Sequence, residues 1–279
     1  MRTLQLWLKA IRWHFCLVAG IGTWVTALVS NGPQWCSPPK VASALTMGFC
    51  VAGSSLYHYG AAREIYARKS ERWWVTQTPR WSLMLFGISA FIVAVFIAKA
   101  FLNLVCASIV IFDAVVIILY AKYLGRHWLT KNLAIAVVIT SPVFLGWFAG
   151  HRMNPAVPWL IAAIGMAYLA REIIKDVDDV LANQGRRVTL PMALGQIGAM
   201  RVAGLCSIIS TGLLIFAAQY LLITALLVAS VYVIALVTNT WVTLQLFRDH
   251  QPGKIQHWIF GMSLLLILDM FLYRVQHGL

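Results

Sequence analysis

The sequence predicts an all-α membrane protein, a bundle of about nine transmembrane helices forming a single domain over residues 1–279. Three observations predict it. First, 61% of the 279 residues are apolar and only 11% charged, an apolar share well above that of a soluble domain. Second, the apolar residues fall in nine long runs. A helix crosses a bilayer in about 20 residues, so nine spans use roughly 180 positions and leave no room for a sizeable soluble domain. Third, the basic residues gather in alternate connections between the runs. Helix is the only open-ended way to cross lipid with every backbone group hydrogen-bonded. Together these exclude a cytosolic globule, a disordered tail and a disulfide-stapled secreted module.

Arg2, Lys9 and Arg12 precede the first run, 13–30. A signal peptide begins this way, but no convincing small-residue cleavage site follows, so the run reads as a retained first span. The second run is 41–60, and the connection 61–81 carries Arg63, Arg68, Lys69, Arg72 and Arg80. Runs 82–98 and 101–120 are divided weakly, at Lys99 and Asn103. Lys122, Arg126 and Lys131 separate them from the fifth run, 133–150, and a short connection leads to the sixth, 157–172. A second long connection, 173–198, precedes the runs 199–218, 220–240 and 257–275.

With the N-terminus in the cytoplasm, the inside connections hold 18 of the 22 Lys and Arg residues, leaving Lys40, Lys99, Arg152 and Arg274 outside. The expected orientation is therefore N-terminus cytoplasmic and C-terminus outside, in a bacterial or archaeal-type cytoplasmic membrane. The net charge of +13 becomes a topology signal and argues against a nucleic-acid partner. Four cysteines lie in apolar runs and only Cys36 in a loop, with no metal-ligand or disulfide spacing.

The two long inside connections, about 61–81 and 173–198, are where function is expected. Both begin with Ala-Arg-Glu-Ile, at Ala62 and at Ala170, and both later reach Val-Thr and a Pro. Their matching positions after the second and sixth runs suggest an internal duplication.

Residues 171–187, REIIKDVDDVLANQGRR, hold the only cluster of acids in the chain. At 100° per residue Glu172, Asp176, Asp179 and Asn183 fall within an arc of about 60° on a helical extension. Like charges so spaced repel unless a cation holds them. Carboxylate and carbonyl oxygens suit Mg2+, which completes its octahedron with water and phosphate oxygens. Lys175, Arg186 and Arg187 adjoin the stripe and Gly185 can turn the chain back across it. Carboxylates for a metal beside cations for an anion are what binding a diphosphate requires. The competing reading is a solvated helix face paired with its neighbouring basic residues.

The run REIIKDVDDV, followed by GRRVTLPMALG up to Gly195, resembles the second aspartate-rich motif of the UbiA family of intramembrane prenyltransferases, in its geranylgeranylglyceryl phosphate prenyltransferase-like branch. The resemblance implies a UbiA-like helical bundle and an enzyme that transfers an isoprenyl group from an isoprenyl diphosphate to an aromatic or hydroxyl-bearing acceptor, assisted by Mg2+. It implies that Asp176 and Asp179 bind the metal and act in catalysis. Lys122 or Arg126 would contact the diphosphate. Tyr120, Arg63, Lys175 and Asn183 are further substrate-contact candidates. Apolar and aromatic walls would keep water from an allylic cation.

The family's first motif, an Asn-Asp pair followed by two aspartates at four-residue steps, falls here on Ser54, Ser55, His58 and Ala62, followed by a matching Arg63. None of its acids is present, and Asn183 stands where the second motif often ends in aspartate. Three readings stay open: one Mg2+ at Asp176 and Asp179, with Ser54, Ser55 and His58 helping to hold phosphate or acceptor; a catalytically decayed relative that binds a lipid or partner; or a different register in the second run. Taken alone, His58 is more often a packing residue than a ligand.

Asp113 and Asp269 lie inside apolar runs, where an unpaired charge is costly and often functional. A hydrogen bond to a neighbouring helix is the favoured explanation for both, and a transporter is a third, weaker class that they leave open. Gly146 and Gly150 are expected to permit close helix packing.

Overall fold

The computed structural model describes residues 2–31, 36–63, 77–150, 154–183, 185, 187–221, 226–247 and 252–278. Most of the connection 61–81, including Arg68, Lys69 and Arg72, lies outside the described residues, as does Arg186.

The chain is built of α1 (Arg2–Ile11), α2 (Trp13–Asn31), α3 (Pro38–Ala61), α4 (Arg80–Phe101), α5 (Leu104–Lys122), α6 (Trp128–Ala149), α7 (Ala156–Asp178), the short α8 (Val180–Asn183), α9 (Leu190–Leu221), α10 (Leu226–Phe247) and α11 (Pro252–Gly278). Among the described residues, seven helices are long and apolar enough to cross a membrane: α2, α4, α5, α6, α7, α9 and α11. A shorter apolar stretch, Tyr232–Leu246, lies in α10. Among the described residues, length and apolarity alone do not reach the expected nine. α3 has the length, but carries Ser43, Thr46, Ser54, Ser55 and His58 among its apolar residues.

Local chemistry sets the breaks. Arg12, at φ +54°, separates the basic leading helix from the first span. Asn103 caps α5, its side chain accepting the Cys106 backbone N–H at 2.9 Å. That makes a firm boundary of what looked in sequence like a weak division.

Two compact units result: Met1–Tyr123 with Ser141–His151, and Leu124–Thr140 with Arg152–Leu279. In the first, α3 packs against α2, α4 and α5 around Ala27, Met47, Cys50, Phe91, Ala94 and Val110. Small residues bring backbones close: a Cβ on Gly146 would lie 2.3 Å from the Thr23 carbonyl oxygen, and one on Gly150 2.3 Å from the Ser30 Cβ. The carboxylate of Asp113 accepts from Ser141 Oγ at 2.7 Å and from Cys50 Sγ at 3.7 Å, which gives its buried charge partners on neighbouring helices.

In the second unit α9 lies along α7 and α10, and α11 packs on α10 and α7. Without a strong apolar preference between helix and lipid, polar side chains help to hold such helices together. Ser210 Oγ donates to the Ala163 carbonyl at 2.9 Å. Thr243 Oγ1 donates to Ser207 Oγ and Asn239 Nδ2 to Thr211 Oγ1, each at 2.7 Å. Asp269 differs from Asp113: it is buried and its Oδ1 has no hydrogen-bond partner.

Candidate functional site

The acid-rich segment is the end of α7. The helix stops at Asp178, with Asp179 as its C-cap at φ −93°, ψ 13°. Carboxylates at the negative end of a helix dipole are unfavourable, which accounts for a stop short of the continuous extension read from sequence. The chain then makes the short turn α8, and Gly185 takes φ +71°, a left-handed conformation that only glycine adopts without strain. Val188 returns beside the 3-10 turn Leu124–Arg126, its N–H donating to the Arg126 carbonyl at 3.1 Å. The buried Thr189 opens α9, and Gly195, at φ +74°, kinks it.

Polar side chains along these turns and at the start of α6 are buried. Glu172, Asp176, Asn183, Lys131 and Asn132 are each no more than 3% exposed. Lys131 Nζ donates to Asp176 Oδ1, and to Asn132 Oδ1 at 3.1 Å. Glu172 accepts from Arg171 at 3.1 Å through Oε1 and from Lys175 at 3.4 Å through Oε2. Asn183 Oδ1 accepts from Arg187 Nε at 2.7 Å. Asp176 Oδ2, Asn132 Nδ2, Asn183 Nδ2, Thr189 Oγ1 and Arg171 Nε are buried with no hydrogen-bond partner. Unsatisfied polar atoms at such depth are costly, and water, an ion or a ligand would satisfy them.

Of the stripe read from sequence, then, Glu172 is neutralised by its neighbours and Asp176 by a lysine 45 positions earlier. Asp178 is exposed and Asp179 half-buried. Arg126 is exposed and Lys175 half-buried in the same unit. In the first unit Ser54 and His58 lie one turn apart on α3. Ser54 Oγ donates to the Cys50 carbonyl at 2.9 Å, and the His58 ring meets Tyr120 edge-on at 5.3 Å between centroids. Lys122 is exposed at the end of α5 and Arg63 half-buried just beyond α3.

Lys131 was legible only as an inside positive charge, whereas Asn132, opening the fifth run, is a weaker feature of the family resemblance. The available signal was a Lys-Asn pair at the threshold of an apolar stretch. Among the described residues no group of three or more His, Cys, Asp or Glu side chains is placed to hold a metal ion. Asp176 Oδ2 and Asp179 are the hard oxygens that would hold a Mg2+ here, with water and phosphate oxygens completing its shell.

Fold and site together define a polytopic helical membrane protein with a buried charged group at the end of one span. The sequence pattern of the UbiA prenyltransferase family matches residues 21–267, and the chain belongs to that family. It is 29% identical over 203 residues to the digeranylgeranylglyceryl phosphate synthase of Methanopyrus kandleri, covering 72% of this chain and 73% of that one. It is 28% identical over 224 residues to the Methanoculleus marisnigri protein of the same name, covering 77% and 78%. Its fold is shared with a solved digeranylgeranylglyceryl phosphate synthase (TM-score 0.81, 18% identity, 99% and 100% coverage). It is also shared with a UbiA homologue from Archaeoglobus fulgidus bound to GPP and Mg2+ (TM-score 0.76, 14% identity, 97% and 99% coverage).

Proposed function

We propose that this chain transfers an isoprenyl group from an isoprenyl diphosphate to a hydroxyl of a glycerol-phosphate lipid, with Mg2+, at the cytoplasmic side of the membrane. The observation that carries the reading is the buried group formed by Lys131, Asn132, Glu172 and Asp176. Its unpartnered Asp176 Oδ2 lies on the segment that matches the family's second aspartate-rich motif. The acceptor class follows the names of the relatives, and the orientation follows the inside-positive charge pattern.

In this reading Asp176 Oδ2 and Asp179 hold one Mg2+, which when bound neutralises charge on the departing diphosphate. Lys175 and Arg126 contact diphosphate oxygens. Asn183, fixed by Arg187, offers its amide N–H to the same anion. Ser54, His58, Arg63, Tyr120 and Lys122 take the substrate contacts that their motif positions imply. The bond between prenyl C1 and the diphosphate oxygen breaks, with its electron pair leaving on diphosphate. The acceptor hydroxyl oxygen forms the new bond to C1, and its proton passes to the departing diphosphate. Apolar surroundings protect the developing cation from water.

The test is purified protein in lipid nanodiscs, supplied with Mg2+ and geranylgeranyl diphosphate, with and without a glycerol-phosphate lipid. Release of diphosphate that depends on the lipid is expected. Protein that neither releases diphosphate nor retains any C10–C20 donor contradicts the proposal. A decayed, lipid-holding relative remains the second reading, favoured by the missing acids of the first motif; it predicts that Asp176→Ala with Asp179→Ala leaves biological activity unchanged.

A further inference from the structure

We infer that Lys131 is a built-in cation standing in for one metal ion, so that this chain takes a single divalent ion with its isoprenyl diphosphate. The inference rests on the proposed function and deepens it. Lys131 and Asp176 are each 2% exposed, and the ammonium donates directly to Asp176 Oδ1. Both Glu172 oxygens are held by Arg171 and Lys175. Asp176 Oδ2 is the one oxygen of these two buried carboxylates without a partner.

A second divalent ion on Oδ1 would meet a fixed positive charge at hydrogen-bond distance in a poorly screened site, a strongly repulsive contact. In the sequence, the positions of the family's first motif hold Ser54, Ser55, His58 and Ala62 in place of its acids. The ammonium supplies in the protein the positive charge that a metal would otherwise bring, and Asn132 Oδ1 fixes its position. Lys131 is thus a positioning residue that acts through Asp176, leaving Oδ2 to the remaining ion.

The experiment is Mn2+ binding to the full chain in nanodiscs, followed by electron paramagnetic resonance and equilibrium dialysis, with a non-cleavable geranylgeranyl thiodiphosphate present. One Mn2+ per chain, with a non-cooperative isotherm, is expected. Lys131→Ala removes the repulsion and should tighten Mn2+ binding by about tenfold or more, whereas Lys131→Arg should keep the single-ion isotherm. A lysine with only a structural role would weaken Mn2+ binding when lost, and that result overturns the inference. Two Mn2+ per wild-type chain also overturns it while leaving the transferase reading intact. Wild-type protein that holds neither Mn2+ nor the analogue overturns both. The wild-type stoichiometry decides the matter even if Lys131→Ala fails to fold.

Discussion

Lys131 and Asp176, 45 positions apart in the chain, form an ion pair in which both side chains are 2% exposed. Such a pair joins the start of α6 to the end of α7 and ties the site's charge to the stability of the fold. Removing one partner leaves the other charged and buried, which costs about 3–5 kcal/mol, whereas replacing both with apolar residues of similar size is often neutral. Lys131→Met and Asp176→Leu should each lower thermal stability clearly in detergent. The double variant should recover most of the loss. Additive losses in that cycle would show that the two side chains are not coupled.

The proposed Mg2+ requirement is tested through its donor set. Chelation by EDTA should abolish diphosphate release, and added Mg2+ should restore it without cooperativity. Asp179→Asn removes a hard anionic ligand and should raise the Mg2+ concentration for half-activity by about tenfold or more, with the unfolding temperature nearly unchanged. An unaltered Mg2+ profile would remove Asp179 from the ion's shell.

Asp113 is read as structural. It accepts hydrogen bonds from Ser141 and Cys50 in the first unit. Asp113→Leu should cost about 1–3 kcal/mol, because it strands the Ser141 hydroxyl. Asp113→Asn, which still accepts from Ser141, should cost less. Unfolding midpoints for the two variants give the comparison, and a larger loss in Asn than in Leu would reject this account.

Helix contacts predict a contrast between two glycines. A Cβ at Gly146 would lie 2.3 Å from the Thr23 carbonyl oxygen, while one at Gly212 meets nothing within 4 Å. Gly146→Ala should destabilise by about 1–3 kcal/mol through overpacking. Gly212→Ala should be neutral, or stabilising by roughly 0.5–1 kcal/mol through helix propensity. Thermal unfolding of the two variants side by side checks the close approach.

Much of the architecture was legible because lipid imposes it. Apolar runs of span length had to be helices, and each of the nine runs contains helix. The turn read at Gly185 is present, with a positive φ, whereas the positive φ of Gly195 was not read from the sequence. The site was only half visible. Periodicity placed Glu172, Asp176 and Asn183 together, but it assumed a continuous helix where α7 stops at Asp178. It could not show that Lys131 reaches Asp176, because a contact over 45 positions leaves no local pattern. Contacts between distant helices likewise hid the difference between Asp113, which has partners, and Asp269, whose Oδ1 has none.

The central claim is that the buried charged group serves prenyl transfer. Its most direct measurement is the fate of radiolabelled geranylgeranyl diphosphate incubated with the purified chain, Mg2+ and a glycerol-phosphate lipid. The account predicts label in the lipid in step with released diphosphate, both lost in Asp176→Ala with Asp179→Ala. Label that stays in the donor with active-folded protein, or transfer that survives the double substitution, would contradict it.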